Sequence, residues 1–306
     1  CMNYYADHGE IPTLGFTPDA DFPVIYGEKG NIHMSLHSND KTMIKRFQAG
    51  SRPNIVIQKA DAVVDAEDPK KELFEFYLKT NGLTGSISKE EDGIHLHMEG
   101  VPAHGASPFL GINAGVHMLN FIGQAYGDQL AQDYYELLKD WKGTPEGIMT
   151  NGVYMGFLTM NPGIIELRDG DLHALIDIRY PNDVTPEFVM KGFETAAAAR
   201  QSTIQAVMEH AGKPLFVDPE SELVTGLMAS YRKYTGDEFT PAITIGGGTY
   251  AKKFDNFVAF GPEKIGEEKT TDAFVGGCHQ RDEGVKLDDL LEAIAIYADA
   301  IVNLAG

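Results

Sequence analysis

Gly15-Phe16-Thr17-Pro18-Asp19-Ala20-Asp21-Phe22-Pro23 sets two carboxylates two residues apart between two prolines, directly before the apolar run Val24-Ile25-Tyr26. Pro18 and Pro23 disfavour helix and stiffen the backbone on both sides. An acid on a rigid loop at the edge of a strand suits a hard or borderline metal ion. In an extended segment Asp19 and Asp21 point the same way and can share one site. The competing reading of such a pair is a solvated turn with a proline rim.

Upstream of this loop, residues 1–10 read as the end of a helix stopped by Gly9 and Pro12, with Met2, Tyr4 and Tyr5 as its apolar or aromatic positions; residues 22–26 read as a strand. Downstream, alternation predicts strands over 32–37, 43–47, 60–64 and 94–98. Asp68-Pro69 opens a helix with Leu73, Phe76 and Tyr77 on one face, stopped at Asn81-Gly82. Helices are expected over 113–125 and 129–139. Strands at 154–160, 164–168 and 172–180 are separated by turns at Asn161-Pro162-Gly163 and Asp169-Gly170, the latter a good hairpin signal. Thr185-Pro186 has the form of an N-cap followed by Pro at the first helical position. A strand at 203–209, helices at 221–235 and 287–304, and short strands at 242–245 and 257–260 complete the chain. The alternation of strands and helices at both ends predicts an α/β sheet domain. Boundaries near Gly27–Gly30 and Lys213–Pro219 make residues 1–27 and 214–306 one α/β domain, with residues 28–213 an inserted α+β domain.

The chain has 306 residues and a formal net charge of -20. That balance argues against nucleic acid and anionic membranes as partners, since both need clustered Lys and Arg. No apolar run approaches the ~20 residues of a membrane span. The two cysteines, Cys1 and Cys278, show no CxxC spacing, so a disulfide scaffold is not expected and a reducing, cytoplasmic compartment is the simpler inference. The chain opens Cys1-Met2-Asn3 and is read as part of a longer product.

Other segments carry chemistry-bearing residues. His279 lies in Gly276-Gly277-Cys278-His279-Gln280-Arg281-Asp282-Glu283. Cys278 beside it is a weak nucleophile candidate, because adjacent side chains usually point apart. Gly246-Gly247-Gly248-Thr249-Tyr250 lacks the Gly-Lys-Ser/Thr ending of a phosphate loop. His104 sits in a loop between Ala103 and Gly105. Arg179 ends a predicted strand, where it can pair with Asp177 or Asp183.

Taken in order, these segments resemble the PepV-type dipeptidases of the M20 metallopeptidase family. The likeness runs through Gly15-Phe16-Thr17-Pro18-Asp19-Ala20, the Asn54 region, the histidine loop 104–114 (HGASPFLGINA), Asp177-Ile178-Arg179-Tyr180-Pro181, Gly247-Gly248-Thr249-Tyr250-Ala251 and the His279 segment, and covers the full 306 residues. It implies a zinc-peptidase-like α/β catalytic domain, present in part, with an inserted α+β lid of the enlarged kind and a monomeric parent. It implies that Asp19 and His279 are metal ligands, His104 the oxyanion-stabilising lid histidine, and Arg179 the group binding the free carboxylate of a small peptide. Asn54, Gly247, Gly248 and Thr249 would contact substrate. Two zinc ions, or manganese, would activate the water. Two departures stand out: Ile57 where the family usually has Pro after Asn54, and Lys252 where it commonly has Arg.

The resemblance further implies that a His, a bridging Asp and a Glu-Glu pair lie upstream of Cys1. These 306 residues alone are therefore expected to be inactive and to bind zinc weakly. The alternatives are an N-acyl amino acid deacylase of the same family and a non-catalytic substrate-binding relative.

Overall fold

Ile32, Met34 and Leu36 alternate along one strand and are at most 1% exposed, and Leu172, Ala174, Ile176 and Ile178 do the same on its neighbour. This period-two burial builds the larger of two units, Gly30–Gly212; the other consists of Cys1–Lys29 and Lys213–Gly306. The computed structural model describes residues 2–264 and 282–305. The chain begins with α1 (Met2–His8), β1 (Gly15–Thr17), β2 (Ala20–Phe22) and β3 (Ile25–Glu28). The larger unit follows: β4 (Gly30–Ser38), β5 (Ile44–Ala49), β6 (Lys59–Val64), α2 (Lys71–Thr80), β7 (Thr84–Glu90), β8 (Gly93–Glu99), α3 (Ala114–Tyr126), α4 (Gln129–Leu138), β9 (Asn151–Gly152), β10 (Gly156–Phe157), β11 (Thr159–Arg168), β12 (Asp171–Tyr180), α5 (Pro186–Ala199) and β13 (Gln205–Gly212). The chain then returns with β14 (Leu215–Phe216), α6 (Glu222–Thr235), β15 (Ile243–Ile245), β16 (Phe257–Ala259), β17 (Pro262–Lys264) and α7 (Leu287–Ala305).

In the Gly30–Gly212 unit an eight-stranded antiparallel sheet runs β13-β4-β12-β11-β5-β6-β8-β7. Its apolar face shares one core with α3, which is buried along most of its length. Asn113 caps α3 by accepting from Val116 N at 3.1 Å. Asp128 caps α4 through Ala131 N, while its other oxygen accepts from Met43 N and Thr42 Oγ1 at 2.6 and 2.7 Å, tying helix to strand. The Asp169-Gly170 turn joins β11 to β12 with φ of 48° and 83°, the hairpin geometry expected of that pair. Thr185 caps α5 by accepting from Phe188 N, with Pro186 at its first turn.

In the two-segment unit, β1-β16-β3-β14 form a sheet to which β15 adds alongside β3, and β2 pairs with β17. Phe22, Val24, Leu223, Val224, Leu227, Val258, Phe260, Ile296 and Ala300 form its core between this sheet and helices α6 and α7. Both units mix helices and sheets, so the fold class is α/β in the broad sense.

Several local expectations are corrected. The strand over 22–26 is two strands, β2 and β3, separated at Pro23-Val24. Asn161-Pro162-Gly163 is not a turn but lies within β11, where the register shifts between Pro162 and Ile164. A Cβ on Gly163 would lie 2.3 Å from Pro53 O, so the bulge lets two backbones approach. The buried face of α2 is Phe74 and Leu78, an i, i+4 pair, whereas Leu73 and Phe76 are 47% and 67% exposed. At the start of α2 the chain turns through Lys70 in the left-handed region, so the helix begins later than Asp68-Pro69 suggests. Strand β7 is unforeseen: it is an edge strand with no buried residue, so it carries no alternation to read.

Candidate functional site

The proline-bounded loop is a turn between two strands with different partners. Strand β1 pairs with β16 and β2 with β17. Phe260 N donates to Thr17 O at 3.0 Å, Ala20 N to Gly261 O at 3.0 Å, and Gly261 N to Asp21 O at 3.1 Å, bracing both sides of the turn. Asp19 is at the exposed apex, while Asp21 lies within β2 and is half-buried. The premise that both acids sit on one extended strand therefore fails. Asp19 belongs to no group of three metal-ligand side chains among the described residues. The one such group comprises Glu90, Asp92 and His95 at the β7–β8 turn, where His95 already pairs with Asp92 at 2.5 Å. A zinc centre needs at least three protein ligands, so the described residues do not themselves fit the metal. His279 and Cys278 lie outside the described residues.

The glycine turn is anchored from below. Glu28, fully buried on β3, accepts from Thr249 N at 2.8 Å on one oxygen and from Thr249 Oγ1 at 2.6 Å on the other. The Lys252 ammonium lies 3.9 Å from Glu28 Oε2 and donates to Lys29 O. A buried carboxylate needs such donors to offset its lost hydration. Both donors of Thr249 are thus committed to Glu28, while in the same turn Gly247 is half-buried and Gly248 is exposed. Burial lowers the pKa of Lys29. Glu28 does not stand out in the sequence, because its partner is 221 residues away.

Within the Gly30–Gly212 unit the structure brings the Asn54 and His104 loops together. Gly105 N donates to Asn54 O at 2.7 Å, Val56 N donates to Ala103 O at 2.9 Å, and Ile55 bridges to His104. A Cβ at residue 105 would lie 3.0 Å from three backbone atoms of Asn54, so glycine permits the approach. The His104 ring is exposed and its Nδ1 accepts from Ala106 N at 3.1 Å. The neutral ring therefore carries its proton on Nε2, the nitrogen left to donate.

Arg179 lies on β12. Its Nε and Nη2 donate to Asp177 Oδ2 at 3.1 and 2.9 Å, and Asp177 is fully buried. Of the two acids considered from the sequence, Asp177 is the partner; Asp183 instead accepts from Val153 N. Asn161 stands opposite Asp177 on β11 and donates through Nδ2 to Pro53 O at 2.7 Å, beside Asn54. Sequence reasoning misses Asn161 because its segment reads as a turn. Arg179 is thus bonded to Asp177, the backbone of Asp177 pairs in register with Asn161, and Asn161 is tied through Pro53 O to the segment that meets the His104 loop.

A Ser–His–Asp series also crosses this sheet: Ser35 Oγ is 3.0 Å from His37 Nε2, and His37 Nδ1 is 3.1 Å from Asp171 Oδ2. Ser35 is fully buried and its hydroxyl donates to Glu209 Oε1 at 2.5 Å, so it is not presented as a nucleophile.

No family model matches the chain. It is 34% identical over 322 residues to "Putative dipeptidase YtjP" of Bacillus subtilis, covering 100% of this chain and 66% of that protein. It is 33% identical to "Putative dipeptidase SH1171" of Staphylococcus haemolyticus, covering 99% of this chain and 66% of that protein. Human carnosine dipeptidase 1 superposes with a TM-score of 0.44 at 10% identity, covering 99% of this chain and 62% of that one, a likeness too low to bear on function. Over its length the chain is thus similar to curated proteins named as dipeptidases, and it spans 66% of the length of each of these two.

Proposed function

We propose that this chain is the larger part of a metal-dependent dipeptidase of the M20 metallopeptidase family. The observation that carries the reading is the 34% identity to "Putative dipeptidase YtjP" across 100% of this chain. The joined Asn54 and His104 loops and the buried anchor of the glycine turn support it. In this reading Asp19 and His279 each contribute to a divalent metal, zinc or manganese, and the remaining ligands come from outside the chain. The metal, when bound, supplies a water of lowered pKa and a Lewis acid.

The chain's own residues bind and orient. His104 donates from Nε2 to the oxygen that becomes anionic; one such donor contributes about 3 kcal/mol to lowering the barrier. Arg179 receives the free carboxylate of the peptide, and Asn54 lies beside the reacting amide. The backbone of Gly247 and Gly248 leaves room for substrate, while Thr249 braces the turn through Glu28 instead of touching the ligand. The complete enzyme works as a monomer in the cytoplasm, and this chain alone is inactive.

The test joins this chain to the part of YtjP outside the matched region and follows dipeptide hydrolysis chromatographically. Hydrolysis that EDTA abolishes and zinc or manganese restores is expected, with no turnover by the chain alone. A chimera active on N-acyl amino acids and not on dipeptides would replace the reading with deacylation. Binding of dipeptides without turnover of either class would replace it with a non-catalytic role.

A further inference from the structure

We propose that Asp177 is a positioning residue for Arg179, selecting which edge of the guanidinium is offered to a carboxylate ligand. The inference rests on the reading of Arg179 given above. Asp177 is fully buried, and one of its oxygens, Oδ2, takes both Nε and Nη2 of Arg179. A guanidinium presents two forks, Nε with Nη2 and Nη1 with Nη2. The first is held by Asp177, so the Nη1/Nη2 edge is the one that can meet a planar carboxylate. Asp177 is itself held in place. Its backbone is registered against Asn161, whose side chain is tied to Pro53 O, and against His33 on β4. The His33 Nε2 atom lies 3.9 Å from Asp177 Oδ1, which has no hydrogen-bond partner among the described residues. The Arg179 side chain is 14% exposed, so most of it is buried while part of it stays open to solvent.

Charge and geometry predict opposite results here. Asp177 cancels the charge of Arg179. If only charge mattered, removing the Asp177 charge would strengthen carboxylate binding. If Asp177 positions the fork, its loss frees a long side chain whose ordering must then be supplied by the ligand, and binding weakens.

The experiment measures binding of two probes to the chain by titration calorimetry or NMR: N-acetylglycine, a planar carboxylate, and N-acetylaminomethanesulfonate, its tetrahedral counterpart. Asp177→Asn is expected to weaken N-acetylglycine binding about tenfold, the scale of one charge-assisted hydrogen bond, and to reduce the preference for carboxylate over sulfonate. Equal or tighter binding by Asp177→Asn with the preference intact overturns the positioning role. Arg179→Ala separates this from the parent reading. If Arg179→Ala abolishes binding while Asp177→Asn leaves it unchanged, only the positioning role falls. If Arg179→Ala binds as wild type, or wild type binds no N-acetylglycine, both fall.

Should Asp177→Asn fail to fold, the 15N resonance of the Arg179 Nε–H in the wild-type chain decides. N-acetylglycine should leave it in place, because Asp177 keeps that edge. A shift at Nε larger than at Nη1 would show the ligand displacing Asp177 and would overturn the inference.

Discussion

Replacing Glu146 by Gln should remove a large pH dependence from the stability of the Gly30–Gly212 unit. Glu146 is 4% exposed, and neither of its carboxylate oxygens has a hydrogen-bond partner among the described residues. It lies in the turn after α4, where Ile148 and Gly192 of α5 pack against the same segment. The nearby cations are engaged elsewhere: Lys139 and Arg200 pair with Glu136 at 2.6 and 3.4 Å. Burial therefore dominates and pushes the carboxyl pKa up to about 8 from 4.5, with Asp140 adding to the rise. A folded-state pKa above the unfolded one means that the native protein keeps its proton while the unfolded chain releases it. The penalty is absent below pH 4.5, grows as pH rises between 4.5 and about 8, and is complete above that. At 1.36 kcal/mol per pKa unit, the unit should lose roughly 3–4 kcal/mol between pH 5 and 8 through this group alone. Glu146→Gln has no such loss.

The assay is urea unfolding at a series of pH values from 5 to 8.5, followed by fluorescence. Trp141 is the single tryptophan of the chain and lies in the same turn region. A buried amide has its own cost, so the comparison is between the two pH slopes and not between absolute stabilities. Wild type should weaken relative to Glu146→Gln as pH rises, and the two curves should diverge most between pH 6 and 8. Parallel pH profiles would refute the reasoning, because they would mean that Glu146 titrates alike in both states.

Other substitutions have equally direct outcomes. Thr249→Val strips a hydroxyl donor from the buried Glu28 and should cost roughly 1–3 kcal/mol of stability, whereas Thr249→Ser should restore most of it in denaturant titrations. Asp128→Ala removes the α4 cap together with the bonds to Met43 N and Thr42 Oγ1, so its cost should reach or exceed the ~2 kcal/mol upper range of a simple cap, read as a fall in the urea midpoint. Gly105→Ala forces a methyl against the Asn54 backbone, where the Cβ would stand at 3.0 Å. It should destabilise by about 1–3 kcal/mol and, in the active chimera, lower kcat by separating the Asn54 and His104 loops.

Elements with strong local signals are legible in the amino-acid order itself. The Asp169-Gly170 hairpin, the Thr185-Pro186 start of α5 and the Asn113 start of α3 each depend on residues within one turn of one another. Alternation exposes β4, β8 and β12, because one face of each is buried in a single core. Alternation fails for β7, where Ile87 alone is even partly buried, and for β11, where Pro162 and Gly163 mimic a turn while the chain continues as a bulged strand.

The candidate site divides in the same way. Asp19, Asn54, His104, Arg179 and the glycine turn stand out as residue types in recognisable segments. Sequence alone determined which side chains deserved scrutiny and that strands and helices would alternate. It left open whether Asp19 and Asp21 shared a strand and what Arg179 touched. Tertiary structure decided that Asp177 holds Arg179, that Glu28 takes both donors of Thr249, and that Asn161 ties β11 to the Asn54 loop. The reason is distance along the chain. Glu28 meets Thr249 across 221 residues and Asn161 meets Pro53 across 108, and no local periodicity records a contact that only the folded sheets bring about.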